Sequence, residues 1–360
     1  MTRVFVSDCE GPFSKNDNAF ELTARFVPEG DKLFTIVSKY DDVLADVVKK
    51  RGYNAGDTLK LVLPFLKAYR VTDKQIQAFS AQNLLLVAGT KDTLSYIRSR
   101  AEAFIVSTSY EHYIKALCKT LGFPFENTYC TRVSVDSYVL APQEEEKLKT
   151  IAREIVAMPM ITIPSGAKSL GDFSVQDQEK IRRLDEIFWK EITKMSIGMV
   201  FSEVTAVGGR QKAEAIKDIA AKRQVSLSDV MYVGDSITDV EAFQLVRKSG
   251  GLTVSFNGNG YAVRNAEVAV MSENNVVTAV LADVFLKQGK TQALQLAENW
   301  NRDSLQRSGV DSSLLERLFA LYPEALPKIQ IVTAENMDML VSESSTFRKQ
   351  VRGEAVGRLG

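Results

Sequence analysis

The sequence predicts an α/β protein, a doubly wound parallel sheet carrying mainly helical insertions. Three observations support that reading. Short apolar runs end in small or acidic residues, amphipathic helical patterns lie between them, and the alternation lapses twice over long stretches that hold helical patterns only. Strands alternating with helices imply βαβ units, and parallel strands buried on both faces read as near-continuous apolar runs.

The first run, Val4 to Val6, leads into Asp8, Cys9, Glu10, Gly11 and Pro12, so a strand ends in two acids and a turn. From 17 to 100 the patterns YDDVLADVVKKRG and TDKQIQAFSAQNLL follow one another without a clear strand, which marks a helical insertion. Alternation resumes over 101–140 with a strand at Ala103 to Val106, the helix YEHYIKALCKTLGF and a strand within Asn127 to Val135. A second insertion, 141–195, has a charged helix, QEEEKLKTIAREIV, whose charge run reads as a solvated face, then a loop and the helix QDQEKIRRLDEIFWKEITKM. The segment 196–285 returns to the sheet, with strands at Val230 to Val233 and Leu252 to Phe256 and helices at Gln211 to Arg223 and Thr238 to Gly250. The core is therefore expected in 1–16, 101–140 and 196–285. NGNGY, Asn257 to Tyr261, has Val263 where a dinucleotide fingerprint needs its third glycine, and is read as a turn after the last main strand. The remainder, 286–360, is expected to be mostly helical, with a frayed basic end, FRKQVRGEAVGRLG.

Composition narrows the function. At 360 residues the chain has room for two or three units, and 45% hydrophobic with 25% charged residues is ordinary for a globular protein. Basic and acidic residues are equal at 45 each, so no global field recruits nucleic acid or an anionic membrane, and a small-molecule partner is expected. Cys9, Cys118 and Cys130 are too scattered for a disulfide framework or zinc site. They read as small buried groups in a reducing compartment, and a cytoplasmic location is expected. The single histidine, His112, reads as a surface or capping residue. Oligomeric state is not legible.

In open α/β sheets ligands bind beyond the carboxyl ends of the strands. There the sequence places Asp8 and Glu10, then Ser107-Thr108-Ser109, then Gly234-Asp235-Ser236 with Asp239 four residues on, while GGRQK sets Lys212 near a helix start. Hard carboxylate oxygens suit Mg²⁺, and a hydroxyl, an ammonium and helix amino termini suit phosphate. A remaining carboxylate can then attack phosphorus, so the set asks for phosphoryl transfer through an aspartyl phosphate.

DxE, Ser, Lys and GDSxxD, in that order, resemble the four motifs of the haloacid dehalogenase superfamily of phosphohydrolases. IVSTSYEHYIKALCKTLGFP and the DxEG first motif look like its phosphoserine phosphatase-like branch. The resemblance implies a Rossmann-like core with the insertions as caps and covers about half the chain. It implies Asp8 as nucleophile and Glu10 as general acid/base. Ser107, Thr108, Gly11 and Lys212 would bind the substrate, Lys212 also stabilising the transferring group. Mg²⁺ would sit among Asp8, Glu10 through its backbone carbonyl, Asp235 and Asp239. The usual first motif is DxD, and Glu10 departs from it. The expected activity is Mg²⁺-dependent hydrolysis of a small phosphorylated metabolite. Transfer to an alcohol acceptor, or phosphate binding without turnover, are the alternatives.

Overall fold

A computed structural model describes residues 3–359. Met1, Thr2 and Gly360, which the sequence reading included in the first core segment and the last extension, lie outside the described residues. Seven strands form one sheet: β1 (Val4–Ser7), β2 (Glu102–Tyr110), β3 (Thr128–Thr131), β4 (Val230–Gly234), β5 (Leu252–Phe256), β6 (Val268–Met271) and β7 (Lys328–Ile331). Their spatial order is β3-β2-β1-β4-β5-β6-β7, with the first six parallel and β7 antiparallel to β6.

Alternate residues of each strand serve opposite faces. Phe5, Ile105, Met231 and Val254 pack with the helices Thr90–Arg98, Glu111–Leu121 and Val276–Gln288. Val4, Val6, Val106, Val230 and Tyr232 pack with Arg210–Arg223 and Val240–Lys248. Burial on both sides explains why the strands lack polar alternation.

Two expectations need correction. NGNGY is not beyond the last main strand, because β6 follows it, while the region after 286, helical for most of its length, also contributes β7 to the sheet edge. The basic end is not frayed: Met337–Arg352 is one helix, and Arg348 within it is 3% exposed.

The helices of the two insertions share one apolar cluster, in which Leu33, Ile36, Leu61 and Phe65 join Leu148, Ile151, Leu184 and Phe188. Phe188 stacks on Tyr40 at 5.7 Å between ring centroids and meets Phe65 edge-on at 6.2 Å. Val356 and Leu359, near the carboxyl end of the chain, belong to the same cluster. Among the described residues no helix is long and apolar enough to cross a membrane.

Candidate active site

The chain runs from β1 through β2 to β3 on one side and then returns to place β4 on the other side of β1. That reversal opens a crevice at the carboxyl ends of β1, β2 and β4. Register fixes what meets there: Ser7 aligns with Ile105 and with Val233, so Asp8, Ser107 and Asp235 emerge within a residue or two of one level. The Asp8 amide donates to the Val233 carbonyl at 2.8 Å, carrying the alignment one residue past the strand.

Asp8, Asp235 and Asp239 each offer a carboxylate oxygen, and the three atoms lie within 4.8 Å of one another. Lys212, 0% exposed, reaches in from the first turn of its helix. Its Nζ is 2.6 Å from Asp8 Oδ2 and 2.7 Å from Asp239 Oδ1. Gly208 and Gly209 set that helix start: a Cβ on Gly208 would overlap the Ala55 carbonyl, and Gly209 adopts φ +50°. The insertion loop can therefore close onto the core here.

The electrostatics follow from burial and pairing. Burial pushes the Asp8 carboxyl up to about 7 even though Lys212 pulls it back. Burial acts the same way on Asp239, but there Lys212, the Tyr232 hydroxyl and a backbone amide outweigh it, and the net shift is downward. Burial lowers Lys212, and its two carboxylate partners more than offset this. Burial and the neighbouring Asp17 push Glu10 well above the usual carboxylate range. These effects favour an anionic Asp239 and a cationic Lys212, and they hold the proton on Glu10 to a higher pH than on an ordinary glutamate.

Asp239 is saturated, accepting from Lys212 and the Tyr232 hydroxyl on Oδ1 and from the Asp235 and Ser236 amides on Oδ2. It is suited to fix Lys212 and the β4 turn. Glu10 accepts from the Asn18 amide at 2.6 Å, at the start of the first insertion's leading helix. Ser107 donates to the Ser109 hydroxyl at 3.1 Å, and Thr108 donates to the Val207 carbonyl at 3.1 Å. Both line the crevice with Asp8 and Glu10. Gly11 shapes the turn after β1. Its N–H is used on the Ser14 carbonyl, and at φ +98° a Cβ there would overlap the Asp235 carboxylate. Cys9 is buried in the core, and His112 sits 3.1 Å from Asp73, tying two helices together.

Residues 168–283 match the family model of the haloacid dehalogenase-like hydrolases. The match covers Lys212, Asp235 and Asp239 and leaves Asp8 and Ser107 outside it. Along its whole length the chain is similar to the AF1437 gene product of Archaeoglobus fulgidus, at 26% identity and a TM-score of 0.80 over 100% of this chain and 99% of that one. Weaker likenesses include a phosphoserine phosphatase caught as a phospho-aspartyl intermediate analogue, at 13% identity and TM-score 0.45 over 76% of this chain and 95% of that one. Another is a phosphoserine phosphohydrolase-like protein of Francisella tularensis, at 13% and 0.40 over 78% and 100%. No curated protein sequence matches.

The crevice is roofed by residues that motif reading passed over. Asp17, Asp41 and Asp42 line the crevice from the first insertion. Asp41 organises the loop above it, accepting from the Tyr53 hydroxyl at 2.6 Å and from the Gly56 and Thr58 amides at 2.9 and 3.1 Å. Arg348 and Arg352 enter from the carboxy-terminal helix and both pair with Asp235, Arg352 at 3.0 Å. Their only sequence signal is an i, i+4 spacing, which puts both on one helix face.

Lys212→Met keeps the apolar stem and leaves Asp8 and Asp239 buried without their shared cation. Breaking a buried pair on one side costs about 3–5 kcal/mol, so in chelator at pH 8 melting should fall by roughly 10 °C. A carboxyl with a raised folded pKa contributes stability that is full below its unfolded value near 3.8 and is lost as pH rises through the folded value, about 7 for Asp8. Without Lys212 that folded value rises further, so the deficit should be smaller at pH 5 than at pH 8. Melts showing equal deficits at both would contradict the buried-pair account.

Proposed function

We propose that the chain is a Mg²⁺-dependent phosphatase that hydrolyses a small phosphate monoester through an aspartyl phosphate on Asp8. The observation that carries this reading is the convergence of a buried Asp8 carboxylate, its Lys212 partner and Asp235 at the reversal point of the sheet. The donor set fits the metal, since clustered carboxylate oxygens without thiolate or imidazole suit a hard cation. Asp8 and Asp235 would hold it with the Glu10 backbone carbonyl, Asp239 acting behind them. When bound it would neutralise phosphoryl oxygens that otherwise repel the anionic nucleophile.

The chain's own groups account for the rest. Asp8 attacks phosphorus while Lys212, within hydrogen-bond distance, offsets charge on both nucleophile and phosphoryl group. The bond from phosphorus to the ester oxygen breaks, and Glu10, whose carboxyl burial pushes upward, gives that oxygen its proton. The resulting carboxylate of Glu10 then takes a proton from the water that cleaves the aspartyl phosphate, which returns both groups to their starting states. Ser107 and Thr108 would turn their hydroxyls from Ser109 and the Val207 carbonyl onto the phosphoryl oxygens. The insertions close over the crevice, exclude water and supply specificity for the metabolite's organic part.

The test is turnover of p-nitrophenyl phosphate and a panel of phosphorylated metabolites at neutral pH. Activity should require Mg²⁺, vanish with EDTA and return on adding Mg²⁺. Turnover insensitive to the chelator would remove the metal from the mechanism, and no turnover of any substrate would remove the enzyme.

A further inference from the structure

Asp235 is the least free of the site's carboxylates. Arg348 Nη1 donates to its Oδ2 and to its backbone carbonyl, the latter at 3.2 Å, and Arg352 Nη1 donates to the same Oδ2 at 3.0 Å. Both arginine side chains are almost wholly buried, at 3% and 4% exposed. Two guanidiniums thus converge on one oxygen of the carboxylate that a divalent cation needs.

Arg348 and Arg352 line the crevice, and all three side-chain nitrogens of Arg352 already donate to the protein. Its Nε donates to the Lys15 carbonyl at 3.1 Å, its Nη2 to the Asn16 carbonyl and its Nη1 to Asp235. These contacts bind the carboxy-terminal helix to the loop that carries Glu10 into the first insertion. Ser344 adds a bond to the Gly258 carbonyl at 2.6 Å, and beyond Arg352 the chain continues to Val356 and Leu359, buried in the cap's apolar cluster. The segment therefore grips the core, the catalytic loop and the cap at once.

We propose that residues 337–359 form an autoinhibitory strap, in which Arg348 and Arg352 hold Asp235 against a divalent cation, so that strap docking and cation binding oppose one another. The proposal rests on the metal reading of the site given above. Two buried positive charges beside a ligand oxygen disfavour a third, and the opposition must be reciprocal: whatever the docked strap costs the cation in affinity, the bound cation costs the strap in docking.

The experiment measures Mg²⁺ binding to the full chain without substrate, by calorimetry, for the wild type, Arg348→Met, Arg352→Met and the double variant. Methionine keeps most of the apolar stem. The double variant should bind Mg²⁺ tighter by roughly 5- to 150-fold, the usual range of coupling between linked sites, with the single variants between. Because a variant can misfold, amide hydrogen exchange of the wild type is followed in parallel, and exchange across 337–359 should quicken when Mg²⁺ is added. Equal or weaker binding in well-folded variants, or exchange that is unchanged or slowed at saturating Mg²⁺, overturns the strap. If wild type and folded variants all fail to bind Mg²⁺, the metal reading falls and the strap with it. Mg²⁺-dependent turnover with no change in strap exchange sinks the strap alone.

Discussion

Asp8→Asn should lower turnover of p-nitrophenyl phosphate by roughly 10⁴- to 10⁶-fold, the scale seen when a covalent nucleophile is removed from an enzyme that keeps its other groups. The amide has the carboxylate's shape but cannot form an acyl phosphate. Its single oxygen can still accept from the Cys9 amide, now 2.6 Å from Asp8 Oδ1, while Lys212 keeps its other partner, Asp239. The fold should persist, with melting within a few degrees of wild type. A well-folded variant that keeps a tenth of the rate would rule out covalent catalysis at this residue.

Glu10→Gln should separate substrates by their leaving groups. The glutamine can still accept from the Asn18 amide and leaves the backbone unchanged, but it holds no transferable proton. On an alkyl phosphate, whose alkoxide needs protonation, the loss should be roughly 10²- to 10⁴-fold. On p-nitrophenyl phosphate, whose phenolate leaves unaided, the first step should be hurt far less. The neighbourhood makes the carboxyl a plausible acid: burial and then Asp17 raise its pKa, so it carries a proton at a pH where Asp239 does not. Equal slowing of both substrates would take the acid role away from Glu10.

The central sheet was legible because β1, β2, β4 and β5 are apolar runs ending in chemically marked residues. β6 was passed over, and β7 was not legible because in Lys328–Ile331 only Ile329 is buried, as suits an edge. The motif acids and Lys212 could be read locally because sheet topology dictates where strand ends meet. Arg348 and Arg352 could not. Their burial is tolerable only beside Asp235, 113 and 117 residues away in sequence, and a local window sees only a basic tail. Asp41 was hidden likewise, because its partners Gly56 and Thr58 become a loop only once the insertion has folded.

The shared apolar cluster of the insertions has a consequence for synthesis. Leu33, Ile36, Leu61 and Phe65 leave the ribosome long before Leu148, Ile151, Leu184 and Phe188, and the whole of β2 and β3 is made in between. Until then the first insertion presents a bare greasy face, and its completion waits further for Val356 and Leu359. Contacts so distant in sequence form slowly, and exposed apolar intermediates associate with one another. The nascent chain therefore has a long interval in which its first insertion is open to association with other chains.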